Sequence, residues 1–256
     1  MTILDDFKLD GRVALVTGAG RGLGQALAVG LAEAGADVAV LDVVSLDETR
    51  EQVSSLGRRC QALDYDLLGA GAGLADMIVS ECASELGRLD ILVNNAGIIR
   101  RAPALEFGEE DWGDVISLNL TSLFYLSQAA ARRFVEQGGG GKIINLASVL
   151  SFSGGIVVPS YAAAKAGVAN LTRALANEWA SLGINVNAIA PSYFSTSMTS
   201  ALRGDAERAE ALLARIPAGR WGEPEDLKGA VVYLASDAAS YVHGATIPVD
   251  GGWLAR

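Results

Sequence analysis

Three side chains between residues 148 and 165 have the types and spacing of a proton-transfer site. Tyr161 and Lys165 are four residues apart in a stretch of helical pattern, so the ammonium and the phenol fall on one face of a helix. A tyrosine in water ionises near pH ~10, and a nearby positive charge favours its phenolate. Ser148 ends the apolar run KIINLAS, where its hydroxyl could hold a substrate oxygen while Tyr161 exchanges a proton with it. Taken alone, this spacing is also that of an ordinary helix pair, so the rest of the chain has to decide.

Short apolar runs alternate along the chain with segments of helical periodicity. Runs that are apolar on both faces and bounded by turn residues are typical of strands buried in a parallel sheet. Repeated β-α units of this length imply right-handed crossovers. The sequence therefore predicts an α/β fold: one domain over residues 1–256, with a Rossmann-type doubly wound parallel sheet of about seven strands and helices on both faces. The predicted strands are 13–17, 38–42, 60–63, 91–94, 142–147, 184–189 and 246–249.

Charge and hydropathy exclude several classes of partner. The 256 residues include 20 basic and 30 acidic side chains, a net charge of −10, which argues against a general affinity for nucleic acid or anionic membranes. Two long uncharged runs, 143–160 and 184–202, contain proline and several Ser or Asn residues and do not resemble spanning helices. The N-terminus has no apolar segment of a secretory signal, so we expect a cytoplasmic protein.

Cysteine and histidine usage argues against a metal site. Cys60 and Cys82 have no paired spacing, so neither a metal site nor a disulfide framework is indicated. His243 is the single histidine, which excludes mechanisms that need two. The expected chemistry requires no metal.

The first predicted strand runs directly into TGAGRGLG, with Thr17, Gly18, Gly22 and Gly24 at the turn into a helix. Glycines at such a turn let the backbone approach a pyrophosphate, and the helix N-terminus offers free N–H groups and a favourable dipole. Its position after a buried strand and before a helix favours dinucleotide binding over an ordinary connection.

The second predicted strand ends at Asp42, twenty residues after Gly22. A carboxylate there can accept hydrogen bonds from the adenosine ribose and would repel a 2′-phosphate, which favours NAD over NADP. Val43 offers no opposing charge, whereas Arg21 inside the glycine turn could reach a 2′-phosphate. We therefore expect NAD as the cofactor, with NADP as the alternative.

Two further motifs carry amides. The fourth predicted strand ends in NNAG, residues 94–97, at the sheet edge where ligands bind in open α/β sheets. Asn119 lies in VISLNLTSLFYL, a helical pattern that is otherwise mostly apolar. A buried amide needs partners, so Asn119 is either a structural bridge or part of a site.

The order T-G-x-x-x-G-x-G, N-N-A-G, mid-helix Asn, Ser and Y-x-x-x-K resembles the short-chain dehydrogenase/reductase family over the whole chain. The resemblance implies hydride transfer between a substrate carbinol carbon and a nicotinamide. Tyr161 would be the general acid/base and Ser148 would position the substrate oxygen. Lys165 would lower the pKa of Tyr161 and bind the nicotinamide ribose, and Asn119 would hold a water of the proton relay.

The same resemblance implies a set of cofactor-binding residues. After NAIAP the family usually has glycine, whereas this chain has Ser192, which predicts a somewhat different path for the loop that passes the nicotinamide. The implied cofactor-binding residues are Gly18, Arg21, Gly22, Leu23, Gly24, Asp42, Val43, Asp66, Leu67, Asn94, Ala96, Gly97, Tyr161, Lys165 and Thr196.

Three stretches, NNAGIIRRAPALEF, RIPAGRWGEPEDL and VDGGWLAR, resemble bacterial sugar-acid dehydrogenases of this family. This implies a sugar-acid substrate such as 2-deoxygluconate or 2-keto-3-deoxygluconate. Arg100 or Arg101 could meet its carboxylate, or both could be solvated surface charges. Tyr193 could contribute to an apolar wall with Phe194 and Met198, and residues 195–215 could form a lid.

Other functions stay open at this point. A gluconate 5-dehydrogenase or a general carbonyl or 3-oxoacyl reductase using NADP would differ mainly in substrate, and a noncatalytic dinucleotide-sensing module is a different class. The family resemblance implies a homotetramer or homodimer, in which Trp253 and Arg256 could lie near a neighbouring subunit's site.

Overall fold

The computed structural model describes residues 2–255, without the side chain of Ala201; Arg256, expected near a subunit interface, lies outside the described residues. Its strands form one parallel sheet in the order β3-β2-β1-β4-β5-β6-β7. The predicted doubly wound α/β sheet is confirmed. The strands are β1 Val13–Thr17, β2 Asp37–Asp42, β3 Cys60–Asp64, β4 Ile91–Asn94, β5 Gly141–Leu146, β6 Ile184–Pro191 and β7 Thr246–Val249.

Helices cover both faces of this sheet. One of them is interrupted by a π-helical segment, Ser117–Thr121, and continues on the other side of it. The helices are α1 Gly22–Glu33, α2 Asp47–Ser55, α3 Ala72–Leu86, α4 Glu109–Ile116, α5 Ser122–Gln137, α6 Pro159–Trp179, α7 Ser200–Gly204, α8 Ala206–Leu213 and α9 Lys228–Ala235.

Strand β1 shows why the apolar pattern predicts a two-sided sheet. All five of its residues are buried. Ala14 and Val16 belong to the core under α1 and α9, whereas Val13 and Leu15 belong to the core under α3 and α5. Because side chains alternate along a strand, a continuous apolar run is what a strand between two helical layers requires.

The strand order reverses at β1. From β1 the chain builds outward through β2 to β3 and then returns to place β4 on the other side of β1. The connections after β1 and β4 therefore leave the sheet in opposite directions and open a crevice at the carboxyl edge, where ligands bind in such sheets.

Polar contacts fasten the two loops that border this crevice. The buried Thr17 Oγ1 accepts hydrogen bonds from the main-chain N–H groups of Asn95 and Ala96, both at 3.0 Å. In return, Asn95 Nδ2 donates to the main-chain oxygens of Thr17 and Gly18, both at 2.9 Å. The glycine turn and the NNAG segment thus form one unit.

Within residues 2–255, no helix is both long enough and apolar enough to span a bilayer.

Candidate active site

A cleft of about 340 Å³ opens at the carboxyl edge of the sheet, beside the ends of β1, β2, β4, β5 and β6. Most of the residues implicated by the sequence meet there. Those that line the cleft are Gly18, Arg21, Gly22, Leu23, Gly24, Asp42, Val43, Asp66, Leu67, Ala96, Gly97, Ser148, Tyr161, Lys165 and Thr196.

The glycine turn is shaped for close approach of an anion. Gly18 and Gly22 have φ values of 65° and 60°, which favour glycine. A Cβ on Gly24 would lie 2.0 Å from the main-chain oxygen of Gly18, so a larger residue would force this turn apart. Because α1 begins at Gly22, its first N–H groups face the cleft edge without helical partners. These features fit the pyrophosphate of a dinucleotide.

Main-chain N–H groups hold the carboxylate of Asp42 at the end of β2. Its Oδ2 accepts from the N–H of Gly20 at 2.9 Å, and its Oδ1 accepts from the N–H groups of Val43 and Val44 at 2.8 and 3.3 Å. These three bonds fix a negative charge beside the glycine turn. Arg21 is exposed at the rim and forms no salt bridge with another described residue.

Ser148, Tyr161 and Lys165 come together at the ends of β5 and α6. Lys165 Nζ donates to the main-chain oxygen of Leu146 at 2.5 Å and lies 5.6 Å from the centre of the Tyr161 ring. Ser148 Oγ accepts from the N–H of Leu150 at 3.1 Å, which leaves its own hydroxyl hydrogen available for donation. The arrangement can therefore hold a substrate oxygen and exchange a proton with it.

Burial dominates the ionisation of this pair. It raises the pKa of Tyr161 to about 12, although hydrogen bonding to Ser148 and the charge of Arg101 act in the opposite direction. Burial also lowers the pKa of Lys165 to about 8. Removing the phenolate from water outweighs the effects of Ser148 and Arg101, and the lowering of the Tyr161 pKa expected from Lys165 stays a prediction.

Asn119 makes the contacts of a structural bridge, and its part in a proton relay stays a prediction. It lies in the π-helical segment between α4 and α5 and is only 1% exposed. Its Oδ1 accepts from the N–H of Ile98 at 2.8 Å, and its Nδ2 donates to the main-chain oxygen of Ile98 at 2.9 Å. The side chain thus anchors the loop after NNAG and lies outside the lining of the cleft.

Asn94, predicted to contact the cofactor, does not line the cleft. Asn94 is the last residue of β4, and its side chain points into the protein, where Nδ2 donates to Ser127 Oγ at 3.0 Å and Asn145 Oδ1 at 2.9 Å. Asn95 lines the cleft in its place. The two asparagines differ because successive residues at a strand end point to opposite sides.

The two candidate arginines, Arg100 and Arg101, have different partners. Arg100 forms ion pairs with Asp111 at 3.1 Å and Asp114 at 3.5 Å, both on α4, so acidic neighbours already compensate its charge. Arg101 instead donates to the main-chain oxygen of Met198 at 3.3 Å, and Met198 lines the cleft. Only Arg101 is directed toward the cleft-bordering segment.

Tyr193 does not line the main cleft. Its ring packs edge-on against Trp221, with centroids 5.7 Å apart, and against Trp253 at 4.7 Å. The guanidinium of Arg215 lies 4.1 Å from the centre of the Trp253 ring. These four side chains, named here the aromatic cluster, join the end of the segment 195–215 to the C-terminal turn. Phe194 and Met198, the other two residues of the expected apolar wall, line the cleft.

Comparison with known proteins agrees with this geometry. The family model described as enoyl-(acyl carrier protein) reductase matches residues 18–254. The chain belongs to the short-chain dehydrogenase/reductase family. It is accordingly an oxidoreductase of a family that binds nicotinamide dinucleotides.

Several relatives of this dehydrogenase match over nearly its whole length. The 2-dehydro-3-deoxy-D-gluconate 5-dehydrogenase of Escherichia coli is 57% identical, covering 99% of this chain and all of the relative. A structure from Agrobacterium tumefaciens, assigned as a 2-deoxy-D-gluconate 3-dehydrogenase with bound NADP, is 54% identical with a TM-score of 0.89, covering 98% and 100% of the two chains. A gluconate 5-dehydrogenase from Burkholderia cenocepacia, in complex with NADP and tartrate, is 40% identical with a TM-score of 0.93 over both full chains.

Sequence reasoning missed part of the lining of this dehydrogenase's cleft. Asn95 stands inside NNAG, and Tyr65 and Ile98 directly adjoin Asp66 and Gly97, so proximity to a motif was the available signal. The remaining apolar members carry no motif of their own. The lining residues not predicted are Leu41, Val44, Tyr65, Asn95, Ile98, Leu118, Leu146, Ala147, Pro191, Ser192, Ser197 and Thr199.

Ser192 stands where the family usually has glycine, and the structure accommodates it without backbone strain. Among residues 2–255, Val157 is the only non-glycine residue with a positive φ, so the backbone at Ser192 does not need glycine. The Ser192 hydroxyl is buried, however, and has no hydrogen-bond partner among the described residues. Such a group carries an uncompensated desolvation cost.

Ser192→Ala is therefore expected to raise the free energy of unfolding by about 1 kcal/mol, because it removes the unpaired hydroxyl and keeps the backbone. Urea denaturation measures this change. The matched control is Ser195→Ala, which removes an exposed hydroxyl that donates to Glu223 at 3.1 Å and should shift stability by less than about 0.5 kcal/mol. A less stable Ser192→Ala protein would show that the hydroxyl has a partner.

Proposed function

We propose that this protein is an NAD(H)-dependent oxidoreductase that transfers a hydride between nicotinamide and a secondary alcohol or ketone of a sugar acid such as 2-keto-3-deoxygluconate or 2-deoxygluconate. The observation that carries the proposal is the convergence of Ser148, Tyr161 and Lys165 on the cleft that the glycine turn borders. The names of the relatives from E. coli and A. tumefaciens support the substrate class. Gluconate oxidation at C5 is the alternative that the B. cenocepacia relative favours.

The chain's residues fit a dinucleotide along the cleft. The glycine turn would hold the pyrophosphate, Asp42 the adenosine ribose, and Asp66 with Leu67 the adenine. Lys165 would hold the nicotinamide ribose and Thr196 the carboxamide. When bound, the nicotinamide supplies the hydride acceptor in oxidation and the hydride donor in reduction.

Proton transfer falls to Tyr161. In oxidation its phenolate takes the substrate hydroxyl proton, and in reduction its phenol returns a proton to the ketone oxygen. Ser148 donates its hydroxyl hydrogen to the same oxygen and fixes its position. Because burial raises the pKa of Tyr161 to about 12, the phenol is the resting form at neutral pH. The ammonium of Lys165, 5.6 Å from the ring centre, would favour the phenolate when oxidation forms it.

Tyr161→Phe should lower turnover by at least about 1,000-fold, because no other group replaces the phenolic proton. NADH binding, measured by fluorescence titration, should stay within about twofold of wild type, since the ring is retained. The assay follows NADH absorbance with a panel of sugar acids and their keto forms. Persistent turnover in this variant would remove the mechanism, and binding without turnover of any panel member by the wild type would favour a sensing module.

The preference for NAD rests on Asp42. Its carboxylate is fixed by three main-chain N–H groups, so it cannot swing away from a 2′-phosphate without losing these bonds. Arg21 at the rim offers the opposing attraction and gives a route to NADP. Because the A. tumefaciens relative has NADP bound, the choice between NAD and NADP needs a direct test.

Asp42→Asn should tighten NADP binding about tenfold and weaken NAD binding, because it removes one negative charge near the 2′-phosphate while leaving an acceptor for the turn. Arg21→Ala should act in the opposite direction on NADP. Fluorescence titrations of NADPH and NADH give both dissociation constants. Equal or better use of NADP by the wild type would refute the role of Asp42.

Arg101 is the better candidate for the substrate carboxylate. Its charge lowers the pKa of Tyr161, which supports a role near the reacting oxygen. Arg100 already has Asp111 and Asp114 as partners. A guanidinium binds a carboxylate through two parallel hydrogen bonds, so one arginine without an acidic partner suffices for a monocarboxylate.

Arg101→Ala should raise the KM for the sugar acid by at least about tenfold, because a charge-assisted pair is lost. Arg100→Ala is the matched control and should leave this KM within about twofold, since its partners lie on α4. Steady-state kinetics at saturating NAD measure both. Equal effects of the two substitutions would place the carboxylate elsewhere.

Residues 195–215 are proposed as a lid over the substrate. The helices α7 and α8 and the turn Ser197–Thr199 occupy this segment, and the turn lines the cleft. Arg101 contacts the segment at Met198, so a bound carboxylate and lid closure would be coupled. Hydrogen exchange in this segment should slow when substrate and cofactor are both present; unchanged exchange would argue against a lid.

We also propose a homotetramer in the cytoplasm. Support comes from large apolar side chains that are exposed on helices of the single chain, such as Met77, Trp112 and Val135. A monomer mass, measured by light scattering after gel filtration, would contradict the homotetramer.

A further inference from the structure

A second serine, Ser151, joins the two segments that carry the candidate catalytic groups, and we propose that it is a positioning residue for the reaction. Its hydroxyl donates to the main-chain oxygen of Lys165 at 2.7 Å and accepts from the main-chain N–H of Ser148 at 3.3 Å. One side chain thus links the main chains of two site residues. The inference rests on the roles proposed for Ser148, Tyr161 and Lys165.

The first half of this link sets the orientation of Ser148. Ser148 has extended backbone angles, φ −163° and ψ 162°, and caps the short 3₁₀ turn Val149–Ser151. The turn closes when the N–H of Ser151 donates to the main-chain oxygen of Ser148 at 2.9 Å. The Ser151 hydroxyl then satisfies the N–H of Ser148, which helix-type bonds cannot reach. The position of the Ser148 hydroxyl therefore depends on Ser151.

The second half of the link sets the position of α6. Lys165 is held at its ammonium by the oxygen of Leu146, the last residue of β5, and at its main chain by Ser151. Both contacts come from the segment 146–151, which also contains Ser148. Tyr161 lies one helical turn before Lys165. The two contacts consequently fix the distance between Ser148 and the phenol from both sides.

A purely local role in the turn is the alternative, and the chain contains a serine with that role. Ser153, two residues after the turn, donates its Oγ hydrogen to the main-chain oxygen of Val149 at 3.3 Å. Its described contacts do not include α6, and it is exposed. A substitution at Ser153 therefore affects only the turn, whereas a substitution at Ser151 also affects the connection between the turn and α6.

Losing the Ser151 hydroxyl should change the chemistry in a defined direction. Active-site groups have to stay within about 0.5 Å of the productive geometry. If Ser148 moves away from Tyr161, the hydrogen bond that lowers the pKa of the phenol weakens. Because oxidation needs the phenolate, its rate would then rise only at higher pH, whereas a loss of stability alone would leave the pH profile in place.

The test compares Ser151→Val with Ser151→Thr, two side chains of equal volume of which only threonine has the hydroxyl. We expect Ser151→Val to lower kcat about tenfold and to move the pH profile of oxidation toward alkaline pH. NADH binding by fluorescence titration should stay within about twofold, and Ser151→Thr should restore kcat to within about threefold of wild type. If valine prevents folding, Ser151→Ala against Ser151→Thr gives the same comparison.

Ser153→Ala is the control and should keep kcat within about twofold of wild type. Equal kcat values and pH profiles for Ser151→Val and Ser151→Thr would overturn the proposal, whatever their melting temperatures. Failure of the proposed function is a separate result, because it would appear as persistent turnover in Tyr161→Phe, measured in the same assay with an unmodified Ser151.

Discussion

The site depends on the ammonium of Lys165, a positive charge that is almost completely removed from water. The side chain of Lys165 is only 5% exposed, and none of the salt bridges among the described residues includes it. Its hydrogen bond to a neutral carbonyl leaves the positive charge uncompensated. A charge removed from water in this way favours any arrangement that brings a negative group beside it, and the phenol of Tyr161, whose ring centre lies 5.6 Å from Nζ, can become one.

The fold provides the setting in which such a charge is tolerated. The sheet is covered on both faces, so polar groups can gather only at its carboxyl edge, where the strand order reverses. Behind this edge, a chain of buried hydrogen bonds runs from Ser127 through Asn94 and Asn145 to Thr172, linking α5, β4, β5 and α6. These bonds connect the four elements behind the cleft, although the buried Asn94 Oδ1 has no partner among the described residues.

The sequence predicts the fold almost completely, and the reason is visible in β1 and β4. Both strands are buried on two faces, so every residue before the last, Thr17 in β1 and Asn94 in β4, is apolar, and the limits of both strands match the prediction. The glycine turn and the Ser148, Tyr161 and Lys165 group are also predictable, because their chemistry requires fixed spacing.

Side-chain direction at the strand ends is the part that sequence cannot supply. Asn94 and Asn95 look equivalent in NNAG, yet only tertiary packing decides that Asn94 bonds to Ser127 while Asn95 faces the cleft. Arg100 and Arg101 are likewise indistinguishable until α4 brings its carboxylates to one of them. The link through Ser151 is equally hidden, because its partner Lys165 is fourteen residues away.

The aromatic cluster has a consequence for how this protein can be observed. Two of the chain's four tryptophans, Trp221 and Trp253, lie against Tyr193, and the guanidinium of Arg215 covers the Trp253 ring. Arg215 follows α8, so a displacement of that helix changes the electric field at the indole. Intrinsic tryptophan fluorescence therefore reports on this region of the protein. No attached dye and no coenzyme absorbance is needed to follow it.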